Sequence, residues 1–163
     1  MSKKRCSICG KGALEIRREP RRYGCGIDVI LVDIEVRHCP ACGEEFEVIP
    51  NIERLHQAIA RDLAKSDARL RAGEIRFLRT YLGYSSVDFA RLMGVSPETV
   101  SRWESKGAPK RMALSAERLL RLMVLQNEPI RSYGLEGAGA SEGPPAQPLR
   151  LRVTPTGWES AAA

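Results

Sequence analysis

Apolar and polar positions along residues 1–50 alternate with the period of a pleated strand. Leu14, Ile16 and Arg18 are separated by polar neighbours. Arg21-Arg22-Tyr23-Gly24-Cys25-Gly26 then supplies the glycines of a turn. From Asp28 to His38, Ile30, Val32, Ile34 and Val36 fall on one face and Asp33, Glu35 and Arg37 on the other, which predicts a half-buried strand. Phe46, Val48 and Ile49 predict a short closing strand that ends at Pro50.

The period then changes. Asn51 is placed to cap a helix with Glu53 in its first turn. Ile52, Leu55, Ile59, Leu63 and Leu70 recur at helical spacing to about Arg71, predicting a connecting helix of about 30 Å. Gly73 reads as a break. Ile75, Leu78 and Leu82 open a second helical region that continues in short helices to about Gln126. Beyond Glu128 little remains to bury: residues 134–148 hold four Gly and three Pro, the composition of a disordered tail. Leu149-Arg150-Leu151-Arg152-Val153 is a late strand-like piece within it. No internal repeat is evident. The predicted fold class is α+β: a small β-rich N-terminal domain over 1–50, a connecting helix over 51–71, an all-α domain over 72–127, and a tail over 128–163.

Charge adds a partner class. The chain carries +6 overall, and residues 128–163 hold three Arg against four Glu, so the excess lies before the tail. Lys and Arg in such excess favour a polyanion, because neutralised phosphates release condensed counterions. The start, Met-Ser-Lys-Lys-Arg-Cys, has no apolar run behind it, and the longest aliphatic stretch is Val29-Ile30-Leu31-Val32. A membrane span needs about 20 apolar residues. No signal peptide and no membrane contact are expected, and a cytoplasmic location follows. Reduced thiols there direct the five cysteines to metal or redox chemistry rather than disulfides.

The cysteines have a metal-site spacing. Cys6-Ser-Ile-Cys9-Gly10 and Cys39-Pro-Ala-Cys42-Gly43 are two knuckles. Two residues between cysteines let one tight turn present both sulfurs to one ion. The following glycine allows the left-handed geometry that aims N–H groups at the thiolates. Four thiolates complete a tetrahedral shell, so a structural Zn2+, one per chain, is expected on Cys6, Cys9, Cys39 and Cys42. A domain of this size with few large apolar side chains needs such a staple. The competing reading, one CxxC as a redox pair, lacks a βαβ pattern around it. Cys25 lies outside both knuckles. His38 points away from Cys39 on a strand, and His56 is expected on a helix surface.

Residues 86–103 fill the constrained positions of a helix-turn-helix. Ala90 is small where the helices cross, and Gly94 suits the left-handed turn. Phe89, Met93, Val95, Val100 and Trp103 form the apolar lock, Ser96 is an N-cap, and Pro97 sits at the first helical position. The recognition helix should run from Pro97 to about Ser105, its N-terminal end in the major groove of double-stranded DNA. Its outward residues are Glu98, Thr99, Ser101 and Arg102. Arg102 is the expected base reader, since its fork matches the acceptors of guanine. Thr99 suits a thymine methyl or a phosphate. Ser86 and Ser96 at helix N-termini, with Lys106, Lys110 and Arg111 beyond the helix, are expected phosphate contacts. Glu98, four residues before Arg102, either pairs with it on the surface or buttresses it. Binding to a palindromic operator as a homodimer is the usual solution for one reading head. Ser115 is placed to cap a final helix in which Leu119, Leu120, Leu122, Met123 and Leu125 cover more than one face, serving the core against Ile75, Leu78 and Leu82, the dimer contact, or both.

The order of these parts resembles the MqsA-type antitoxins, whose zinc half is similar to the YgiT-type zinc fingers and whose second half is an XRE-like helix-turn-helix. The matching residues are CSICG at 6–10, CPACGEEF at 39–46, the amphipathic helix that follows, and GVSPETVSRWESKG at 94–107, within about 1–127. The resemblance implies a type II antitoxin. Such a protein neutralises an mRNA-cleaving toxin of RNase type through its zinc-bearing half and represses its own operon through the other. It also implies the four cysteines as ligands and Arg102 as a base reader. The family's asparagine one turn before that arginine is Glu98 here, and the glutamine common at the start of the second helix in related repressors is Ser86. The long tail also departs from compact members. The alternative is a solitary zinc-finger and helix-turn-helix regulator without a toxin. No nucleophile–base pair or phosphate-cradling loop points to an enzyme.

Overall fold

The computed structural model describes residues 5–107 and 111–127, with the backbone alone of 151–154 and 157–160. Two strands, β1 (Glu15–Gly24) and β2 (Asp28–His38), form an antiparallel hairpin, and β3 (Glu45–Val48) pairs with the far end of β2. The turn is shorter than the sequence pattern suggests. Arg21 to Gly24 extend β1 and pair with Leu31 to Asp28, and Gly26, at φ +85°, supplies the left-handed residue of the turn.

The alternation in β2 is broken by a bulge. Pro20 has no N–H to give the ladder, and the register shifts there, with Glu19 opposite Ile34 but Arg21 opposite Leu31. Val32 and Asp33 therefore share one partner position, and Asp33 adopts φ 59°. The expected single face of Ile30, Val32, Ile34 and Val36 is divided in consequence. Val36 is fully buried and Ile34 half-buried, whereas Ile30 and Val32 are 56% and 75% exposed. Val29 and Leu31 take the half-buried places instead.

Five helices follow: α1 (Ile52–Lys65), α2 (Ala72–Tyr81), α3 (Ser86–Leu92), α4 (Pro97–Trp103) and α5 (Leu114–Gln126). Asn51 caps α1 as expected, its side chain accepting the Arg54 N–H at 3.2 Å. The helix ends at Lys65, short of Arg71. Its continuation is replaced by side-chain bonds to the backbone: the Ser66 hydroxyl accepts the Ala68 N–H, the Glu117 carboxylate accepts the Leu70 N–H at 3.1 Å, and Arg121 donates to the carbonyls of Leu63, Ala64, Ser66 and Ala68. Several of the groups a longer helix would have paired internally are thus paired by side chains.

Gly73 is no break; it lies in the first turn of α2. A Cβ there would come within 2.8 Å of the Gly26 carbonyl oxygen and 3.3 Å of Ile27 Cγ2, so the glycine marks where the hairpin turn meets the helices. The α5 helix begins at Leu114 with Ala113 as its N-cap, so Ser115 lies inside it rather than capping it. Ala60 and Ala64 of α1 join Ile75, Leu78, Phe89, Val100, Trp103, Leu120 and Met123 in one core cluster, which makes α1 part of the helical core as well as a connector. Leu119 and Leu122 on the outer side of α5 stay exposed.

The α+β organisation therefore holds. Residues 131–163 form a separate compact unit, in which β4 (Leu151–Thr154) pairs antiparallel with β5 (Gly157–Ser160). β4 coincides with part of the strand-like piece; β5 departs from the expected disordered tail, being the strand that pairs with it, and the remainder of that tail lies outside the described residues.

Candidate functional site

Two turns build the candidate metal centre. Cys6 and Cys9 sit in the loop before β1, and Cys39 and Cys42 in the loop between β2 and β3. In each knuckle the glycine N–H closes the turn, from Gly10 to the Cys6 carbonyl at 3.0 Å and from Gly43 to the Cys39 carbonyl at 2.8 Å. Both glycines are left-handed, at φ +69° and +77°. The loops bring all four Sγ atoms within 4.8 Å of one another, with Cys6–Cys42 and Cys9–Cys39 each at 3.7 Å. A tetrahedral ion with metal–sulfur bonds of about 2.3 Å sets its sulfurs about 3.8 Å apart. The donor set fits such an ion. Gly12 closes the cradle, since a Cβ there would lie 2.6 Å from Cys39 Sγ.

The thiols differ in acidity. The N–H groups of Lys11 and Gly12 stabilise a Cys9 thiolate and draw its pKa down to about 6. At Cys42 the Glu44 N–H acts in the same direction, but the sulfurs of Cys39, Cys9 and Cys6 outweigh it and push the pKa up to about 12. Four sulfurs this close cannot all ionise unless a cation shares them. His38 is not in the group; its Nδ1 lies 3.7 Å from Glu45. Cys25 sits in the hairpin turn, away from the cluster. His56, expected on a helix surface, is half-buried: its Nε2 lies 2.8 Å from the Tyr23 hydroxyl and its ring meets Phe77 edge-on at 5.7 Å.

The second constellation is α3–turn–α4. Gly94 is left-handed at φ +64° and the Val95 N–H bonds the Ala90 carbonyl at 3.0 Å. Phe89, Ala90, Val100 and Trp103 are buried, with Met93 and Val95 half-buried against them. Ser96 caps α4 by accepting the Thr99 N–H at 3.3 Å, and Pro97 opens the helix. Ser85 caps α3, its hydroxyl accepting the Asp88 N–H at 3.1 Å, and Ser86 is the exposed first helical residue.

Glu98, Ser101 and Arg102 are exposed and Thr99 is half-buried. Glu98 does not form an ion pair with Arg102, and among the described residues the Arg102 guanidinium makes no hydrogen bond. The Glu98 carboxyl is nonetheless held below its ordinary range by its own backbone N–H, by the Ser96 hydroxyl and by the Arg102 charge. Lys106 and Arg111 are exposed, and Lys110 lies outside the described residues.

Sequence reasoning missed Glu104. It caps the C-terminus of α4, is 6% exposed, and accepts from Arg79 at 2.6 and 3.0 Å and from Arg76 at 3.2 Å. Arg79 also donates to the Tyr84 carbonyl at 2.6 Å, just before the α3 cap, so one guanidinium ties both helices to α2. The signal was present as a carboxylate at the end of α4 with two arginines three apart on α2.

A cradle of four sulfurs beside a small sheet, followed by two short helices at a tight turn within a helical core, defines a protein class with a cysteine-cradle region and an all-helical region. A family profile described as the antitoxin component of the bacterial toxin-antitoxin system, MqsA, matches residues 4–130, and the chain belongs to that family. Comparison with curated proteins found no match. Among the described residues no helix is long and apolar enough to cross a membrane.

Proposed function

We propose that this antitoxin-family protein is a DNA-binding autorepressor, and that it neutralises an mRNA-cleaving toxin. The observation that carries the reading is the two-sided character of α4. Val100 and Trp103 bury its inner face, Glu104 anchors its end, and Glu98, Ser101 and Arg102 stand outward, the guanidinium making no hydrogen bond or ion pair among the described residues. An unpaired fork on a rigid helix matches the two acceptors of guanine in the major groove. Glu98 lies close enough to orient that fork electrostatically. Thr99 and Ser101 face the bases or the sugar edge. Ser86, Ser96, Lys106 and Arg111 meet phosphates on either side, which fixes register without reading sequence.

The ion is zinc, because a closed shell of four thiolates is the preferred setting of that metal and leaves no position for water. It is structural, on Cys6, Cys9, Cys39 and Cys42. The toxin meets the hairpin face on which Ile30 and Val32 are exposed. Two protomers bind one palindrome, with Leu119 and Leu122 of α5 supplying apolar contact between them. The setting is cytoplasmic.

Fluorescence anisotropy with DNA from upstream of the gene tests this reading. The expected result is saturation at two protomers per duplex, on half-sites about 34–36 Å apart, and an affinity that falls steeply with salt. Equal affinity for that DNA and for random duplex would overturn it.

A further inference from the structure

A cavity of about 450 Å3 lies between the hairpin turn and the helices, and no role considered so far uses it. Its walls are apolar, formed by Ile27 of the turn, Leu70, Met112 and the ring of Trp103 on α4. Its rim is cationic. Of the four basic residues that line it, Arg69 is neutralised by Glu117 at 2.6 Å. Arg71, Lys106 and Arg111 have no ion pair among the described residues. Of the two acids in the lining, Asp28 pairs with Arg22 at 2.7 Å, whereas Glu74 accepts the neutral Arg71 N–H at 2.7 Å and keeps its charge. The opening therefore carries net positive charge, three cations against the one Glu74 carboxylate, over an apolar floor.

We propose that this cavity is an effector site for a small organic anion, a carboxylate or sulfonate with a flat apolar body. The volume falls in the range of small-molecule sites, about 300–1,000 Å3. An apolar body would displace water from Leu70, Met112 and Trp103, and the anionic group would lie among Arg71, Lys106 and Arg111. Two of those cations, Lys106 and Arg111, are also the phosphate contacts assigned above, so a bound anion competes with the DNA backbone. This coupling rests on the DNA-binding reading; the site itself does not. The direction follows from charge. Neutralising two phosphate-facing cations weakens operator binding, because the counterion release they provide is lost.

The test uses two probes with the same ring system, 8-anilinonaphthalene-1-sulfonate and its uncharged counterpart N-phenyl-1-naphthylamine. The full chain carries Trp158→Phe, which leaves Trp103 as its one tryptophan. Energy transfer from Trp103 should saturate with the sulfonate at submillimolar concentration, and the neutral probe should bind at least tenfold more weakly. The double variant Arg71→Ala/Arg111→Ala should weaken sulfonate binding at least tenfold, while Ile52→Ser at the exposed start of α1 leaves it unchanged. No saturable transfer, equal binding of the two probes, or an unaffected double variant would overturn the site. Saturating sulfonate should lower operator affinity severalfold; unchanged affinity would overturn the coupling. Should the protein bind no operator under any condition, the DNA reading fails and the transfer measurement still decides the site.

Discussion

At the scale of residues, a few side chains carry more than their size suggests. The four cysteines are crowded beyond what thiolates alone tolerate, and Cys42 at about 12 against Cys9 at about 6 shows how unevenly the proton affinity is spread without a cation. Metal removal should therefore unfold the sheet region. Elemental analysis is expected to give about one zinc per chain, and a strong chelator should abolish the strand signal in circular dichroism, as should Cys6→Ser. A zinc-free protein with an intact sheet would contradict this. Glu117 is the second such residue. It is 2% exposed; burial penalises its charge, but Arg69, Arg121 and the Leu70 N–H outweigh that and hold its pKa below the ordinary 4.5. A depressed folded pKa contributes stability that is present above about pH 4.5 and is lost as pH falls through the folded value. Glu117→Gln should cost roughly 3 kcal/mol at neutral pH. It should also flatten the acid side of a plot of urea midpoint against pH, and a parallel curve would refute the assignment.

At the scale of elements, the pattern of apolar residues located β1 to β3 and the helices α1 to α5, yet β5 was not anticipated and several boundaries moved for physical reasons. Periodicity cannot see a side chain from elsewhere satisfying a backbone, so the first helix was extended through Leu70, which Glu117 holds instead. It also cannot register a proline bulge: Pro20 on one strand turned Ile30 and Val32 outward on the next. Ser85 and Ser86 are equally good caps by type, and only the geometry chose between them. Gly73 was legible as unusual but not as a contact point, because its neighbour Gly26 is remote in sequence. The clustering of the four cysteines and the turn between α3 and α4 were legible because fixed spacing within one turn encodes them. Glu104 was not, since its partners belong to another helix. Gly73 gives a prediction at this scale. Glycine in a helix costs about 0.5–1 kcal/mol relative to alanine, so Gly73→Ala would stabilise an unobstructed helix. Here the contact with the Gly26 carbonyl reverses the sign, and a loss of about 1–3 kcal/mol is expected in thermal unfolding. A raised melting temperature would show that the turn does not dock there.

At the scale of the molecule, the four-cysteine region and α4 belong to one compact unit, Met1–Ile130, and the family match covers nearly the same span. Positive charge is concentrated there, with the tail slightly acidic. Phosphate contacts should then supply most of the affinity and Arg102 most of the discrimination. Comparing Arg102→Ala with Lys106→Ala on operator and mismatched duplexes separates the two roles most directly. Arg102→Ala should cost about 1–3 kcal/mol on the operator and relax preference at one base pair. Lys106→Ala should weaken every duplex alike and reduce the salt slope by about 1. A folded Arg102→Ala protein with unaltered operator affinity and base preference would contradict the placement of α4 in the groove.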